Sequence, residues 1–408
     1  MFLFPINRVP DEMNHARMTW ETIHKQTENS FKWMDEIPSN DKVKPREYKQ
    51  LLARKIEMKN EPFKVGISLK TISFLPQLIG MTIGSWISPS VGMIIYMGRI
   101  FNALAYILGL YFLIRYFKYG KTALMFISLL PIMVQQASSL SYDVMNYLEV
   151  MLAIGFITNL AYSKRFTNRN FVQVIGLAIL LLATKPNNIL LLGLIPFVSF
   201  EFKGVLKVLN RPFKSLKIIV SRYKFVFYFL LLLTILFILQ LLMRNEGGLV
   251  HYSHVLLNTL INARQNGDLN SILTIGVFGY LGNFTLQLPL WLIFIDIAVL
   301  VLIFLANEKD FFSKDFSIFA TWLFPIQVLA TVTVMYLQWT PIVLGHGASV
   351  SVGSQGRYFT PFLILFLPLV ANLGNFEISQ NKVLKISTIT LLVNFLISIF
   401  LIIPFYWM

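Results

Sequence analysis

From about residue 70 to the C-terminus, long apolar runs alternate with short polar breaks. The runs fall near 91–117, 122–140, 142–162, 170–184, 187–201, 222–243, 286–306, 316–337, 358–374 and 383–405. A helix needs roughly 20 apolar residues to cross the hydrocarbon core of a bilayer, and many of these runs reach that length. The pattern predicts an all-α fold: a polytopic transmembrane helical bundle of about ten membrane segments, forming a single membrane domain over 1–408. Runs 170–184 and 187–201 are short for full spans, and Lys185-Pro186-Asn187-Asn188 joins them, so tilted spans or a broken pair are expected. Residues 71–88 are apolar but interrupted by Pro76, Gly80, Gly84 and Pro89. They read as interfacial or re-entrant helices rather than one clean span.

Ahead of the apolar runs, residues 10–64 form a polar block of mixed charge. Asp11 follows Pro10 as a candidate helix cap. Ala16, Trp20, Ile23 and Thr27 then recur at helical spacing, and a second helical stretch is predicted from Arg46 to Lys59. Met1 to Arg8 is too short for the apolar core of a signal peptide.

Composition supports the membrane reading. Apolar residues make up 56% of the chain and charged residues 13%, against about 25% charged in soluble domains. Ten of the twenty acidic residues lie in the first 61 positions. The net charge of +15 does not point to nucleic acid, because the excess cations sit in short loops between apolar segments, as the positive-inside rule produces. With no cysteine in the chain, disulfides, thiolate metal sites and cysteine nucleophiles are excluded.

Loop charges orient the bundle. If 91–117 runs from outside to inside, the inner loops carry sixteen basic residues, seven of them between Lys203 and Lys224, and Lys309 among the rest. The outer loops then carry four: Lys185, Arg244, Arg264 and Arg357. Block 10–64 and loops 244–285 and 338–357 are therefore expected on the external face of the cell membrane, with the basic loops cytoplasmic.

Asp11, Glu12, His15, Arg17, Arg99, Asp143, Lys185, His251, His254, His346, Gln355 and Arg357 fall on that outer face or in the outer membrane half. Ionisable groups at such depth are costly and mark function when they face a cavity. Each has a plainer reading. Asp11 and Glu12 can start a helix at its positive end, Arg99 can snorkel, Asp143 can cap its helix, and Lys185 can anchor at the interface. His251 and His254 lack a third nearby ligand for a metal. Asp296 lies mid-span and is expected to pair within the bundle. The shared side is what suggests a site for an anionic, lipid-linked or polar substrate, with carboxylates as general base and cations against a phosphate.

Several stretches resemble one family. Pro10-Asp11-Glu12 with His15 resembles the opening motif of domain-of-unknown-function family 2142, a family of bacterial membrane proteins. Arg99 to Ala103 is similar to its arginine-asparagine helix, and Leu130-Pro131 through Ser139 with Ser141-Tyr142-Asp143 to its proline-to-aspartate stretch. Phe278-Gly279-Tyr280-Leu281-Gly282 resembles its glycine-tryptophan-leucine segment, with Tyr280 where Trp is usual. Gly353-Ser354-Gln355-Gly356-Arg357-Tyr358-Phe359 with Pro361 is the sharpest match. That family looks like the C-superfamily of glycosyltransferases (GT-C), multispan enzymes that use polyprenyl-phosphate sugars and carry an acidic motif in the first external loop. The resemblance implies a membrane glycosyltransferase of cell-envelope synthesis, acting on lipid-linked donors. Asp11 would be its general base and Glu12 the neighbouring catalytic carboxylate. His15, Arg99, Asp143, Lys185, Gln355, Arg357 and Tyr358 would bind substrate, with Arg357 and Lys185 or Arg99 on the donor phosphate. It also implies a membrane helix just before the acidic motif, where this chain has only Met1 to Val9.

No cofactor is expected. Neighbouring helix residues point about 100° apart, so Asp11 and Glu12 do not suit one metal, and a divalent cation is not favoured. His15 shares a face with Asp11, and its imidazolium would keep that carboxylate ionised. The rival functions are a transporter or flippase of lipid-linked sugars and a non-catalytic scaffold.

The charge asymmetry makes a testable prediction. An impermeant thiol reagent applied to intact cells should label Asn266→Cys and spare Ser215→Cys. The reverse pattern means an inverted orientation.

Overall fold

In the computed structural model, residues 3–28, 30–39, 42–261, 275–306, 312–373 and 378–408 are described. Arg264, Asn266 and Lys309 lie outside them. The polar block holds three short helices, α1 (Glu12–Trp20), α2 (Lys32–Asp35) and α3 (Pro45–Ala53). Ala16 and Trp20 are fully buried, as their spacing predicts. Thr27 lies beyond the end of α1 and is exposed. Trp20, Phe31, Met34, Ile37 and Ile56 form a small apolar core with Met81, Val91, Ile94, Ile95 and Leu140 of the bundle. Burying each such side chain contributes about 1.5–3 kcal/mol, so the block is fastened to the membrane helices rather than tethered to them.

Those helices are α4 (Thr71–Ile87) and α5 (Val91–Tyr116), an antiparallel hairpin. Despite Pro76 inside it, α4 is one continuous helix. Its glycines let the two backbones approach. A Cβ at Gly80 would collide with the carbonyl oxygen of Met97.

Next come α6 (Lys121–Ser128) and α7 (Pro131–Ala137), which split the run 122–140 at Pro131. α8 (Asp143–Ser163) crosses beside α5. α9 (Asn168–Thr184) starts at a capping box in which Thr167 accepts from the Asn170 amide. A 3-10 stretch, Pro186–Phe197, follows the Lys185 junction. Then come α10 (Asn210–Arg222), α11 (Lys224–Leu242), α12 (Gly248–Leu260) and α13 (Ile275–Phe278). In a small hairpin, Tyr280–Leu281 pairs antiparallel with Leu286–Gln287. The C-terminal part comprises α14 (Leu290–Leu305), α15 (Lys314–Gln338), α16 (Thr340–Leu344), 3-10 turns at Gly356–Tyr358 and Thr360–Phe366, α17 (Leu367–Ala371) and α18 (Gln380–Trp407).

Among the described residues, α5, α8, α11, α15 and α18 are long and apolar enough to cross a membrane. α4, α9, α14, Pro186–Phe197 and Thr360–Ala371 are apolar but shorter. The fold is thus all-α. α11 has a mean hydropathy of 2.7 and no buried residue, the pattern of a helix whose surroundings are lipid.

Two ends of the bundle differ in character. Loop 345–352 docks on α12 through Asn258 to the Ser349 carbonyl at 3.0 Å and the Ser351 amide to Thr259 at 2.8 Å. That end also holds residues 355–357 and the polar block. The other end brings together basic loops: Arg165–Phe166 pairs with Glu201–Phe202, and Tyr119 meets Phe312.

Gly80→Ala should cost about 1–3 kcal/mol through overpacking of the hairpin. A lowered thermal unfolding midpoint in nanodiscs would show it, and an unchanged midpoint would mean the helices part without strain.

Candidate functional site

Two adjacent carboxylates open α1, and the fold sends them in different directions. Glu12 is buried and meets Arg99 of α5 in a two-pronged ion pair, with Nε–Oε1 and Nη2–Oε2 both 2.7 Å. Its oxygens also accept from the Asn7 amide at 2.8 Å and the Leu140 amide at 3.2 Å. Arg99 donates further to the Phe4 and Pro5 carbonyls at 2.8 and 3.1 Å. Both side chains have no exposed surface. The structure therefore sets Glu12 and Arg99 apart from any open site. Their geometry is that of a buried clamp holding the N-terminal block to α5.

Asp11 does not cap α1. Its backbone is left-handed, with φ 64°, and its carboxylate makes no cap hydrogen bond. Instead Oδ2 accepts from Arg357 Nη2 at 2.8 Å and Gln355 Nε2 at 3.1 Å. The Nε of Arg357 donates to Asp143 Oδ2 at 3.1 Å, and Lys185 Nζ to Asp143 Oδ1 at 2.7 Å. The Lys185 ammonium also sits 3.5 Å from the centroid of the Tyr358 ring, a close cation–π contact. Two carboxylates and two cations from four separate parts of the chain thus form one charge-balanced cluster. Gly356 lets this happen, since a Cβ there would strike the Gly276 backbone.

Burial is uneven within the cluster. Asp143 and Arg357 are 1% and 2% exposed at the side chain, whereas Asp11 keeps 34%. Partial burial works against the Asp11 carboxylate, but the Arg357 guanidinium outweighs it and holds the group below the ordinary carboxylate range. The stabilisation that follows is complete above about pH 4 and is lost only as pH falls through the lowered value. His15 lies beside Asp11 and Asp143. Its ring packs edge-on against Tyr142 at 4.4 Å between centroids, and burial pushes its pKa below the usual 6.5. Arg357 is the larger and His15 the smaller of the two neighbours that hold the Asp11 carboxylate low. Neutral burial of His15 favours the fold above about pH 6.5 and is lost as acid forces a charge onto the ring.

Asp11, Asp143, Lys185, Gln355, Arg357 and Tyr358 are brought together, and His15 lies against their edge through Tyr142. The histidines of the later loops lie apart: His251 contacts the Ala348 carbonyl at 3.2 Å, His346 pairs with Glu246, and His254 is exposed. Among the described residues no three His, Asp or Glu side chains converge as a metal site would require.

Other polar groups gather here that residue-by-residue reading overlooks. Asn188 donates to Asn146 at 2.6 Å, and Asn187 to Gln327 and Thr331 at 3.1 Å. Gln136 Nε2 and Oε1 and Tyr147 Oη are buried with no partner. Their one signal in the sequence was a polar side chain inside an apolar run.

An all-α membrane protein with a buried four-charge cluster beneath a polar N-terminal block is the class that this fold and site define. Residues 1–366 match the family described as predicted membrane protein (DUF2142), and the chain belongs to that family. No curated protein and no solved structure matches it.

The clamp and the cluster should respond differently to mutation. Glu12→Ala leaves Arg99 buried and unpaired, at a cost of about 3–5 kcal/mol. Yield of monodisperse protein should collapse, while Asp11→Asn yields normally because Arg357 keeps Asp143. Normal yield and midpoint in Glu12→Ala would rule out the clamp.

Proposed function

We propose that the Asp11–Arg357 cluster transfers a sugar from a polyprenyl-phosphate donor to an acceptor hydroxyl, on the external face of the cell membrane. The supporting observation is the asymmetry within the cluster. Asp11 is its open, ionised carboxylate, and it is held by a buried arginine with one guanidinium nitrogen unpaired. Sidedness follows from the sixteen-to-four loop asymmetry.

In this reading the acceptor oxygen attacks the anomeric carbon and its proton passes to Asp11. The bond from that carbon to the phosphate oxygen breaks, and its electron pair leaves with the polyprenyl phosphate. Arg357 and Lys185 offset the departing charge. An Asp11 held low by Arg357 is a weak base in the empty site. Donor phosphate competing for the guanidinium loosens that hold and raises Asp11 basicity when it is needed. Arginine suits the task because its planar fork meets two phosphate oxygens at once. Glu12 and Arg99 serve as positioning residues, since neither reaches the open side.

One observation favours the flippase reading. The site is flanked by 3-10 stretches, Pro186–Phe197 and Gly356–Phe366, and broken helices are a mark of transporters.

Radiolabelled polyprenyl-phosphate sugar with purified protein and candidate acceptors separates the two. Asp11→Asn should lower transfer about 10²–10⁴-fold with donor binding retained, while Arg357→Lys should weaken donor binding itself. Full transfer in Asp11→Asn would remove Asp11 as base. Labelled lipid that crosses vesicles without forming product would mark a flippase.

A further inference from the structure

Beside the charge cluster lies a narrow crevice lined by Pro10, Gln136, Tyr280, Phe284, Gly356 and Arg357, among others. Gln135 and Gln136 are consecutive, yet their amides have opposite fates. Gln135 spends both ends on Gly282, accepting from its amide at 2.8 Å and donating to its carbonyl at 3.4 Å. That pair registers the Tyr280–Gln287 hairpin against α7. Gln136 is fully buried, and neither its Nε2 nor its Oε1 has a partner. Leaving a buried amide unsatisfied is costly, so an unpaired donor and acceptor on one side chain mark a place where something polar binds. Arg357, whose Nη1 has no partner, lines the same crevice.

We propose that this crevice is a pyranose subsite, in which the Gln136 amide reads two neighbouring sugar hydroxyls and Tyr280 supplies the stacking wall. A side-chain amide offers one donor end and one acceptor end, which matches a vicinal diol and does not match a phosphate, an acceptor alone. Tyr280 is half-buried, and its ring meets Phe284 edge-on at 6.4 Å. The negative face of an aromatic ring suits the carbon-bound hydrogens of a sugar. The crevice as it stands has room only for a molecule the size of water, so the sugar must displace a wall. Phe284 is the wall least held: it is 43% exposed, and its backbone is left-handed at φ 60° on the hairpin turn, a strained conformation for a bulky residue. The subsite deepens the transferase reading and rests on it for the identity of the sugar's carrier. It places the sugar next to Pro10, one residue from Asp11.

Saturation-transfer NMR on the full chain in lipid nanodiscs tests the subsite without a lipid-linked donor. The probes are methyl α-D-glucopyranoside, methyl α-D-galactopyranoside and methyl α-D-mannopyranoside, and maltoside detergents are avoided because they carry the probe chemistry. At least one glycoside should show transfer to its ring protons. The signal should fall at least tenfold in Gln136→Leu and in Tyr280→Ala, with thermal midpoints near wild type, and should persist in Tyr280→Phe. No binding by any of the three, or equal signals in wild type and both loss variants, overturns the subsite. Glycoside binding that depends on Gln136, in a protein that transfers no sugar, keeps the subsite and sinks the transferase. Asp11-dependent transfer with glycoside binding indifferent to Gln136 does the reverse.

Discussion

Glu12 and Arg99 are both withdrawn from solvent, and the position of everything at this end of the molecule follows from their contact. A charge taken from water costs several kcal/mol unless its partner and its remaining hydrogen bonds are all in place. Here they are. Arg99 reaches two carbonyls near the N-terminus, and Glu12 collects two backbone amides. The pair therefore joins the chain ahead of α1, helix α5 and the loop before α8 at one point. Asp11 is the preceding residue, so fixing Glu12 fixes where Asp11 stands.

The second tier of charge depends on that first one. Asp143 opens α8, Lys185 ends α9, and Arg357 sits in a 3-10 turn packed on α13. None is near another in sequence, and each alone would be an unpaired charge at membrane depth. Assembled, the two carboxylates and two cations neutralise one another. One weak point remains, the partly open Asp11, together with the unused nitrogen of Arg357. A cluster that satisfied itself completely would have nothing left with which to meet a ligand. Elsewhere, buried carboxylates pair through one oxygen each: Asp296 with Asn394 at 2.6 Å, and Glu149 with Thr184 at 2.6 Å.

At the opposite end the constraints relax. Helix α10 carries basic residues and buries none of its side chains, and α11 continues from it with apolar residues on every face. A helix of that kind takes its stability from the bilayer, which leaves no backbone group unpaired. The protein is thus tightly specified where charges are buried and loosely specified where lipid is the neighbour.

Membrane character and the all-α class were legible in the sequence, because hydropathy over some twenty residues is a local sum. The sequence also marked Asp11, Glu12, His15, Arg99, Asp143, Lys185, Gln355 and Arg357 by their shared side, added Tyr358 through the family resemblance, and placed Asp296 in a structural pair. It did not separate Asp11 from Glu12, which differ in role although they are neighbours with the same chemistry. Only the tertiary structure decided that one carboxylate is clamped and the other open, since that depends on Arg99 and Arg357, 87 and 346 positions away. The same holds for His15, which helical spacing placed beside Asp11 but whose packing against Tyr142 no spacing reveals. Spacing along one helix reports which residues share a face. What that face meets, and how much water reaches it, is settled by the elements packed against it.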